Sequence, residues 1–425
     1  MRTYDVLLSG TRVGRLSETS NGRVAFRFFD DYKRLVPRPV LSQSFEDDLE
    51  RTYRSRRDAL PAFFANLVPE GQLREVIEAS LGLPHGDSLA LLAAVSGDLP
   101  GAVELIEAGT DVDVQLNGDE ENGHTAVSDG SPKARTDSLA PDVELRFSLA
   151  GVQMKFSLVR EHEKLTLPAR GARGEVIVKL DTSQFQGVVR NEFATLQWAG
   201  AAGFDVPRCE LLSTRALPEA LRPYAGESEY VLVLDRYDRI GQSRVHQEDF
   251  AQVTGLLPDL KYDHVTYAQC AALIKNIVGY AGYYEFIRRL TFVLASGNAD
   301  AHLKNWSLLY RDGVTPTLTP LYDQVATVAW PTLAFKLALK FAETYDFLQV
   351  NEQTFGRLAV RAGADPKATI ATVRDALERT VTGWRAARIS DVLPNGHAAA
   401  LRAYWLRAPL LRDFVGQLFA ANSAV

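Results

Sequence analysis

The run Gly297-Asn298-Ala299-Asp300-Ala301-His302-Leu303-Lys304-Asn305 places an acid, an imidazole, an ammonium and two amides within nine residues. It follows an apolar stretch, Thr291-Phe292-Val293-Leu294-Ala295. A helix that stops at a glycine and releases polar side chains into a loop is a good host for a site. Asp300 and Asn305 stand five positions apart. A carboxylate and an amide at that spacing can divide the work of phosphoryl transfer: the carboxylate orients and deprotonates an attacking hydroxyl, and the amide oxygen holds Mg2+. The plainer alternative is a helix end followed by a satisfied polar loop. Eighteen residues past Asn305 comes Leu321-Tyr322-Asp323, a second acid, and Asn305 with Asp323 would give a hard cation two oxygen ligands. A turn or helix cap is the plain alternative for Asp323.

Three further segments could serve the same chemistry. Phe147-Ser148-Leu149-Ala150-Gly151-Val152-Gln153-Met154-Lys155-Phe156 has a single glycine, so it is neither a Walker A loop nor a GxGxxG loop. Small residues and a hydroxyl at a strand-to-strand turn can still offer backbone N–H groups to phosphate. Lys179 ends the strand Val176-Ile177-Val178. A lone lysine there either snorkels to the surface or pairs with a charge, and its natural partners are a phosphate or a carboxylate such as Glu192. Tyr230-Val231-Leu232-Val233-Leu234 reads as a buried strand running into Asp235-Arg236-Tyr237-Asp238-Arg239, as an adenine-binding hinge would, or as an ordinary strand with a solvated end.

The elements that must position these residues fall into segments. Residues 1–110 read as one unit: strands at Val6–Leu8, Val13–Leu16 and Val24–Phe28, turns at Gly10 and Asn21-Gly22, then helices at Leu60–Leu67, Gln72–Leu81 and Ser88–Ser96. Residues 111–145 hold nine acids against Lys133 and Arg135 and have few aliphatic residues, as a linker or surface loop does. Strands dominate 146–245. Beyond about 246 the periodicity turns helical, with helices expected at Tyr267–Ala281, Tyr284–Ala295, Glu352–Ala362, Lys367–Arg388 and Ala398–Ala420, and a short hairpin at Leu308–Tyr310 and Leu318–Leu321. A small strand-rich lobe followed by a larger helical lobe predicts an α+β protein with a ligand cleft between lobes.

Composition narrows the field. With 425 residues, two or three domains are expected. Hydrophobic residues at 46% exclude a disordered chain, and two cysteines, Cys209 and Cys270, exclude a disulfide scaffold and argue against structural zinc. No apolar run is long enough to span a membrane, and the first residues lack a signal-peptide core, so a cytoplasmic protein without a membrane role is expected. A net charge of −6 argues against a general nucleic-acid binder.

These segments, in this order, resemble the HipA family of bacterial serine/threonine kinases, the toxin half of HipBA toxin–antitoxin modules. Ser148–Lys155 is similar to the family's S-x-[AS]-G-x-Q-x-K loop, Gly297–Asn305 to its [GN]-x-x-D-x-H-x-K-N loop, and Leu318–Asp323 to its L-[ST]-P-x-Y-D segment. Leu60–Gly71 is similar to its amino-terminal signature, to which we attach no catalytic meaning here. The likeness covers essentially the whole chain. It implies a two-lobed protein-kinase-like fold: a HipA-like amino-terminal subdomain (1–110), the acidic linker (111–145), a kinase N-lobe (146–245) and a helical C-lobe (246–425). It implies ATP and Mg2+ as cofactors, Asp300 as catalytic base, and Asn305 and Asp323 as metal ligands. Ser148, Ala150, Gly151, Lys155 and Lys179 would meet the ATP phosphates. Val233, Asp235 and Tyr237 would surround adenine and ribose, and His302 and Lys304 would support the loop, Lys304 near the γ-phosphate. Ser148 would be an autophosphorylation site whose phosphate, adding about −1.5 to −2 charges, repels nucleotide and switches the enzyme off. The implied partners are a HipB-like helix-turn-helix antitoxin, which would make the DNA contacts, and a protein substrate, for which the family offers aminoacyl-tRNA synthetases. The chain departs from the family at Met154, in the length of 111–145 and at Glu343–Asp346. Competing readings are an antitoxin-binding corepressor with weak catalysis, a lipid or small-molecule kinase, and a metal phosphohydrolase on Asp300 and His302, which lacks further His and Asp ligands.

Overall fold

The computed structural model describes residues 1–55, 60–109, 154–161, 164–166, 174–182, 185–241, 243–331, 333 and 336–418. The stretch 111–145 and the loop residues Ser148, Ala150 and Gly151 lie outside the described residues.

Hairpin chemistry builds the first sheet. Strands β1 (Thr3–Leu8), β2 (Thr11–Glu18), β3 (Val24–Phe28), β4 (Tyr53–Arg54) and β5 (Val103–Glu107) form an antiparallel sheet in the order β4-β3-β2-β1-β5. Ser9 and Gly10, at φ 49° and 81°, make the two-residue turn between β1 and β2, with both residues in the left-handed region that a type I′ hairpin requires. Four short helices, α1 (Asp30–Lys33), α2 (Ala62–Ala65), α3 (Gly71–Ser80) and α4 (Ser88–Ala94), accompany this sheet.

The second sheet carries the residues singled out above. Its strands are β6 (Lys155–Glu161), β7 (Lys164–Thr166), β8 (Val176–Lys179), β9 (Cys209–Ser213) and β10 (Tyr230–Asp235), in the antiparallel order β7-β6-β8-β10-β9, with helix α5 (Val188–Ala201) following β8. One face of this sheet shares a core with the amino-terminal unit: Phe156, Val178 and Val233 pack in the same cluster as Val6, Phe26 and Leu92. A buried charge cluster ties the two as well, with Arg236 bonding Asp98 at 2.8 Å and Asp238 at 2.9 Å. The amino-terminal unit is therefore packed into the N-lobe and is not a tethered appendage.

A small hairpin, β11 (Arg239–Ile240) and β12 (Ser243–Arg244), leads to the C-lobe, where β13 (His246–Asp249), β14 (Ser307–Tyr310) and β15 (Thr317–Leu318) form a three-stranded sheet beside α6 (Phe250–Val253), α7 (Tyr267–Val278), α8 (Tyr280–Ser296), α9 (Glu352–Arg361), α10 (Pro366–Ala386), α11 (Ile389–Val392), α12 (His397–Arg407) and α13 (Val415–Leu418). Most of α8 is buried, and Trp198 of α5 joins Trp384 and Trp405 in its core at centroid separations of 4.9 and 5.6 Å. Helix α5 thus belongs to both lobes.

Three helix expectations need correction. Gly279, at φ 87°, ends α7 before Ala281 and opens α8 at Tyr280, not Tyr284. The helix expected over Ala398–Ala420 stops at Arg407, because Pro409 cannot donate a backbone hydrogen bond and biases Ala408 out of the helical region. Among the described residues no helix is long and apolar enough to cross a membrane.

Candidate active site between the lobes

Lys179 sits at the centre of the cleft. Alternation along β8 puts Val176 and Val178 into the core and Ile177 and Lys179 toward the cleft. The Lys179 Nζ donates to Glu192 Oε1 at 2.5 Å and also to Asp323 Oδ1. Helix α5 supplies Glu192 and is itself fixed on the C-lobe side: Asn191 Oδ1 accepts from the Ala326 N–H at 2.8 Å, three residues past Asp323. Burial pulls the Lys179 pKa down, and the charges of Asp323 and Glu192 more than offset that, so the ammonium is raised. Burial pushes Asp323 up, but Lys179 and Lys155 hold it well below the usual carboxylate range. For Glu192 burial wins, and its carboxyl is raised. Lys155 lies directly opposite Lys179 in the β6–β8 register, and burial, with some help from Lys179, lowers its pKa. Asp323 adopts φ 50°, a left-handed conformation uncommon for any residue but glycine, where its carboxylate meets Lys179.

The loop after α8 is held by its own amides. Asn298 Oδ1 accepts from the Asp300 N–H at 3.0 Å, while its Nδ2 donates to the Asp323 carbonyl at 3.3 Å. Asn305 Nδ2 donates to the Asp300 carbonyl at 2.8 Å, which uses the donor end of the amide and reserves the oxygen, the end a cation needs. Asp300 is exposed, and its Oδ1 accepts from the Tyr262 hydroxyl at 2.6 Å. His302 is buried with its ring edge-on to Tyr262, and burial lowers its pKa to about 4, so the imidazole is neutral near pH 7. Lys304 does not point freely into the cleft. Its Nζ donates to Glu70 Oε1 at 2.6 Å and to the Asn66 carbonyl at 3.2 Å, both in the amino-terminal unit.

The strand expected to carry an adenine hinge runs along the cleft wall. Leu234, Asp235 and Tyr237 line the cleft. Tyr237 donates to Gln247 Oε1 at 2.7 Å, and Asp235 pairs with Arg160 at 3.2 Å. Val233 is different: its side chain lies in the core shared with the amino-terminal sheet, because alternation along β10 turns it away from the face that bears Leu234.

One cleft of about 890 Å³ is therefore lined by Lys155, Lys179, Asp235, Tyr237, Asp300, His302, Lys304, Asn305 and Asp323 together. These are all the expected site residues within the described range except Val233. Sequence reasoning missed Asn66, Glu70, Lys261, Tyr262 and Asn298. The polar Asn66 and Glu70 inside an otherwise apolar run carried a signal, whereas a lone tyrosine in the loop at 262 carried none. Among the described residues no group of three or more His, Cys, Asp or Glu side chains could hold a metal ion. Asn305 and Asp323 nonetheless offer the all-oxygen pair that suits Mg2+, which keeps several waters and completes its shell with substrate phosphates.

Comparison with known proteins follows the same outline. A family model described as the HipA-like C-terminal domain matches residues 147–384, and one described as the HipA N-terminal domain matches residues 4–106. The chain is 36% identical over 417 residues to a Sinorhizobium fredii protein named "Putative kinase Y4dM", covering 94% of this chain and 97% of that one. It is 25% identical over 320 residues to the serine/threonine-protein kinase toxin HipA of Shewanella oneidensis, covering 67% of each. Its fold matches a chain of the Shewanella oneidensis complex of HipA, HipB and operator DNA with a TM-score of 0.70 at 19% identity, over 98% of this chain and 97% of that one. The fold is thus the two-lobed, kinase-like α+β arrangement.

Proposed function

The chain belongs to the HipA family, and we propose that it is an ATP- and Mg2+-dependent protein serine/threonine kinase acting as the toxin of a toxin–antitoxin module. The observation that carries this reading is the convergence, in one cleft, of a base on an exposed loop, an amide and a carboxylate suited to a cation, and a buried lysine shared by two carboxylates.

In this reading Asp300 accepts the proton of a serine or threonine hydroxyl while that oxygen forms its bond to the γ-phosphorus. The bond from the γ-phosphorus to the β,γ-bridging oxygen breaks, and ADP leaves. Mg2+ bound by Asn305 and Asp323 would neutralise charge on the phosphates. Glu192 keeps Lys179 aimed at the phosphates. Lys179 now satisfies Asp323 itself, so nucleotide binding exchanges an internal ion pair for an external one. Lys155 adds a second cation beside it. Asp235 and Tyr237 would flank the ribose and adenine, and Val233 would contribute through its backbone. Against burial, Lys179 and Lys155 hold Asp323 below the usual carboxylate range, so it is ionised near pH 7, as a metal ligand must be.

The same reading extends to partners and control. A HipB-like antitoxin would mask the toxin and carry it to DNA, and the substrate would be a cytoplasmic protein, with aminoacyl-tRNA synthetases as the leading class. Phosphate on Ser148 would add charge beside the triphosphate and switch the enzyme off.

Intact-mass and phosphopeptide analysis after incubation with Mg2+ and ATP tests the reading on wild type and Asp300→Asn. Phosphate on Ser148 in the wild type alone is the expected result. Absence of phosphate in both, together with no nucleotide binding, would overturn it and leave an antitoxin-binding protein on a kinase fold.

A further inference from the structure

We infer that Glu70, a residue of the amino-terminal unit, is a positioning residue for the base Asp300, acting through Lys261, Tyr262 and Lys304. The inference rests on the kinase reading above and assigns catalytic consequence to the amino-terminal unit.

Glu70 occupies the N-cap position of α3, but its side chain does not cap that helix. Its two oxygens are instead divided between two lysines. Oε1 takes Lys304 at 2.6 Å, and Oε2 takes Lys261 at 3.1 Å. Both ammonium side chains are under one-tenth exposed, at 7% and 9%. Burial pushes the Glu70 carboxyl up, and the charges of Lys304 and Lys261 outweigh it, so Glu70 stays ionised. A charged clamp of this kind is stronger than a surface pair because water screens it less.

The two lysines grip the catalytic loop from two sides. Lys304 is in the loop. Lys261 lies outside it, but its carbonyl accepts the Leu303 N–H at 3.1 Å. The next residue, Tyr262, donates its hydroxyl to Asp300 Oδ1 at 2.6 Å. One carboxylate thus reaches both the segment that bears the base and the segment that orients it. Tyr262 engages Oδ1, so the other carboxylate oxygen of the exposed Asp300 is the one that would meet an acceptor hydroxyl. The amino-terminal unit is docked by other bonds as well, including Asn66 Nδ2 to the Leu256 carbonyl at 2.8 Å and Arg244 to the Gly101 carbonyl at 2.7 Å. Losing Glu70 therefore need not undock it.

The test uses the full chain with Glu70→Gln, Tyr262→Phe, the double variant, and Arg244→Met as a control that weakens docking away from the cleft. Hydrogen exchange of the amides from Asn298 to Asn305 is read beside steady-state kinetics. Glu70→Gln is expected to speed loop exchange and to lower kcat by about tenfold to a hundredfold, the scale of a misplaced catalytic group, with the KM for ATP within about twofold of wild type. The double variant should be no slower than the slower single one, because both changes act through one chain of contacts. Unchanged loop exchange and unchanged kcat in Glu70→Gln would overturn the inference. So would an equal loss of kcat in Arg244→Met, which would reduce Glu70 to a docking contact. A wild type without phosphoryl transfer would sink the kinase reading instead, and the exchange measurement would still decide whether the clamp exists.

Discussion

Lys179 shows how one residue type acquires a role from its partners. A buried ammonium is costly alone, and it is retained here because Glu192 and Asp323 flank it. Lys179→Met leaves the buried Glu192 and the partly buried Asp323 without the cation between them. Breaking a buried pair by removing one partner costs about 3 kcal/mol or more, so a clear drop in the urea midpoint is expected, with nucleotide affinity falling at least tenfold in a titration. Adding Glu192→Leu should recover much of the stability and none of the affinity. If stability returned with affinity, the lysine would be structural. Asp323→Asn keeps the shape and removes the charge, so phosphoryl transfer should need markedly more Mg2+. An unchanged Mg2+ requirement in a titration would argue that Asp323 is not a ligand.

At the scale of elements, α5 is the piece whose placement matters most. One end presents Glu192 to Lys179, and the other sinks Trp198 among Trp384 and Trp405. Its closest neighbour there is α10, where Gly383 allows the chains to touch: a Cβ at Gly383 would stand 2.6 Å from the Ala202 nitrogen and 2.8 Å from the Ala201 carbonyl carbon. Backbone atoms cannot swing aside, so Gly383→Ala should cost about 1–3 kcal/mol, the usual range for overpacking. It should also weaken nucleotide binding, because a displaced α5 moves Glu192. A thermal melt and a nucleotide titration read both effects, and a variant that melts earlier yet binds nucleotide normally would show that the two ends of α5 are uncoupled. Periodicity revealed α10 because its apolar stripe is a local pattern. It overran at Gly279 and Pro409, where one residue's backbone preference outweighs a continuing stripe.

The whole molecule is held by contacts that cross its segments. The amino-terminal sheet and the N-lobe sheet share a core, and β13 meets the amino-terminal unit through His246, whose Nε2 bonds the Leu41 carbonyl at 2.8 Å. Burial lowers the His246 pKa to about 4 from an ordinary 6.5. The folded state therefore resists a proton that the unfolded chain accepts. Stability from this group is complete above about pH 6.5 and is lost as pH falls toward 4, by roughly 3 kcal/mol over the window. Urea midpoints of wild type and His246→Asn should converge over that range. Curves that stay parallel would mean that the imidazole is hydrated in the folded protein.

The chemistry-bearing residues were readable because they sit in short runs. Asp300 and Asn305 are five positions apart, and the helix, loop and hairpin around them follow from local apolar spacing and turn residues. The alternation that turned Val233 into the core was equally local, but which face of β10 meets the cleft is settled only when the sheet is covered. Pairings such as Glu70 with Lys304, 234 positions apart, leave no spacing to read. Side-chain chemistry and neighbouring spacing are properties of a few consecutive residues, so the sequence alone determined what could react. Which charge neutralises which, and that the amino-terminal unit reaches the loop of Asp300 and Lys304, depended on long-range packing that brings distant backbone together, and only the tertiary structure decided it.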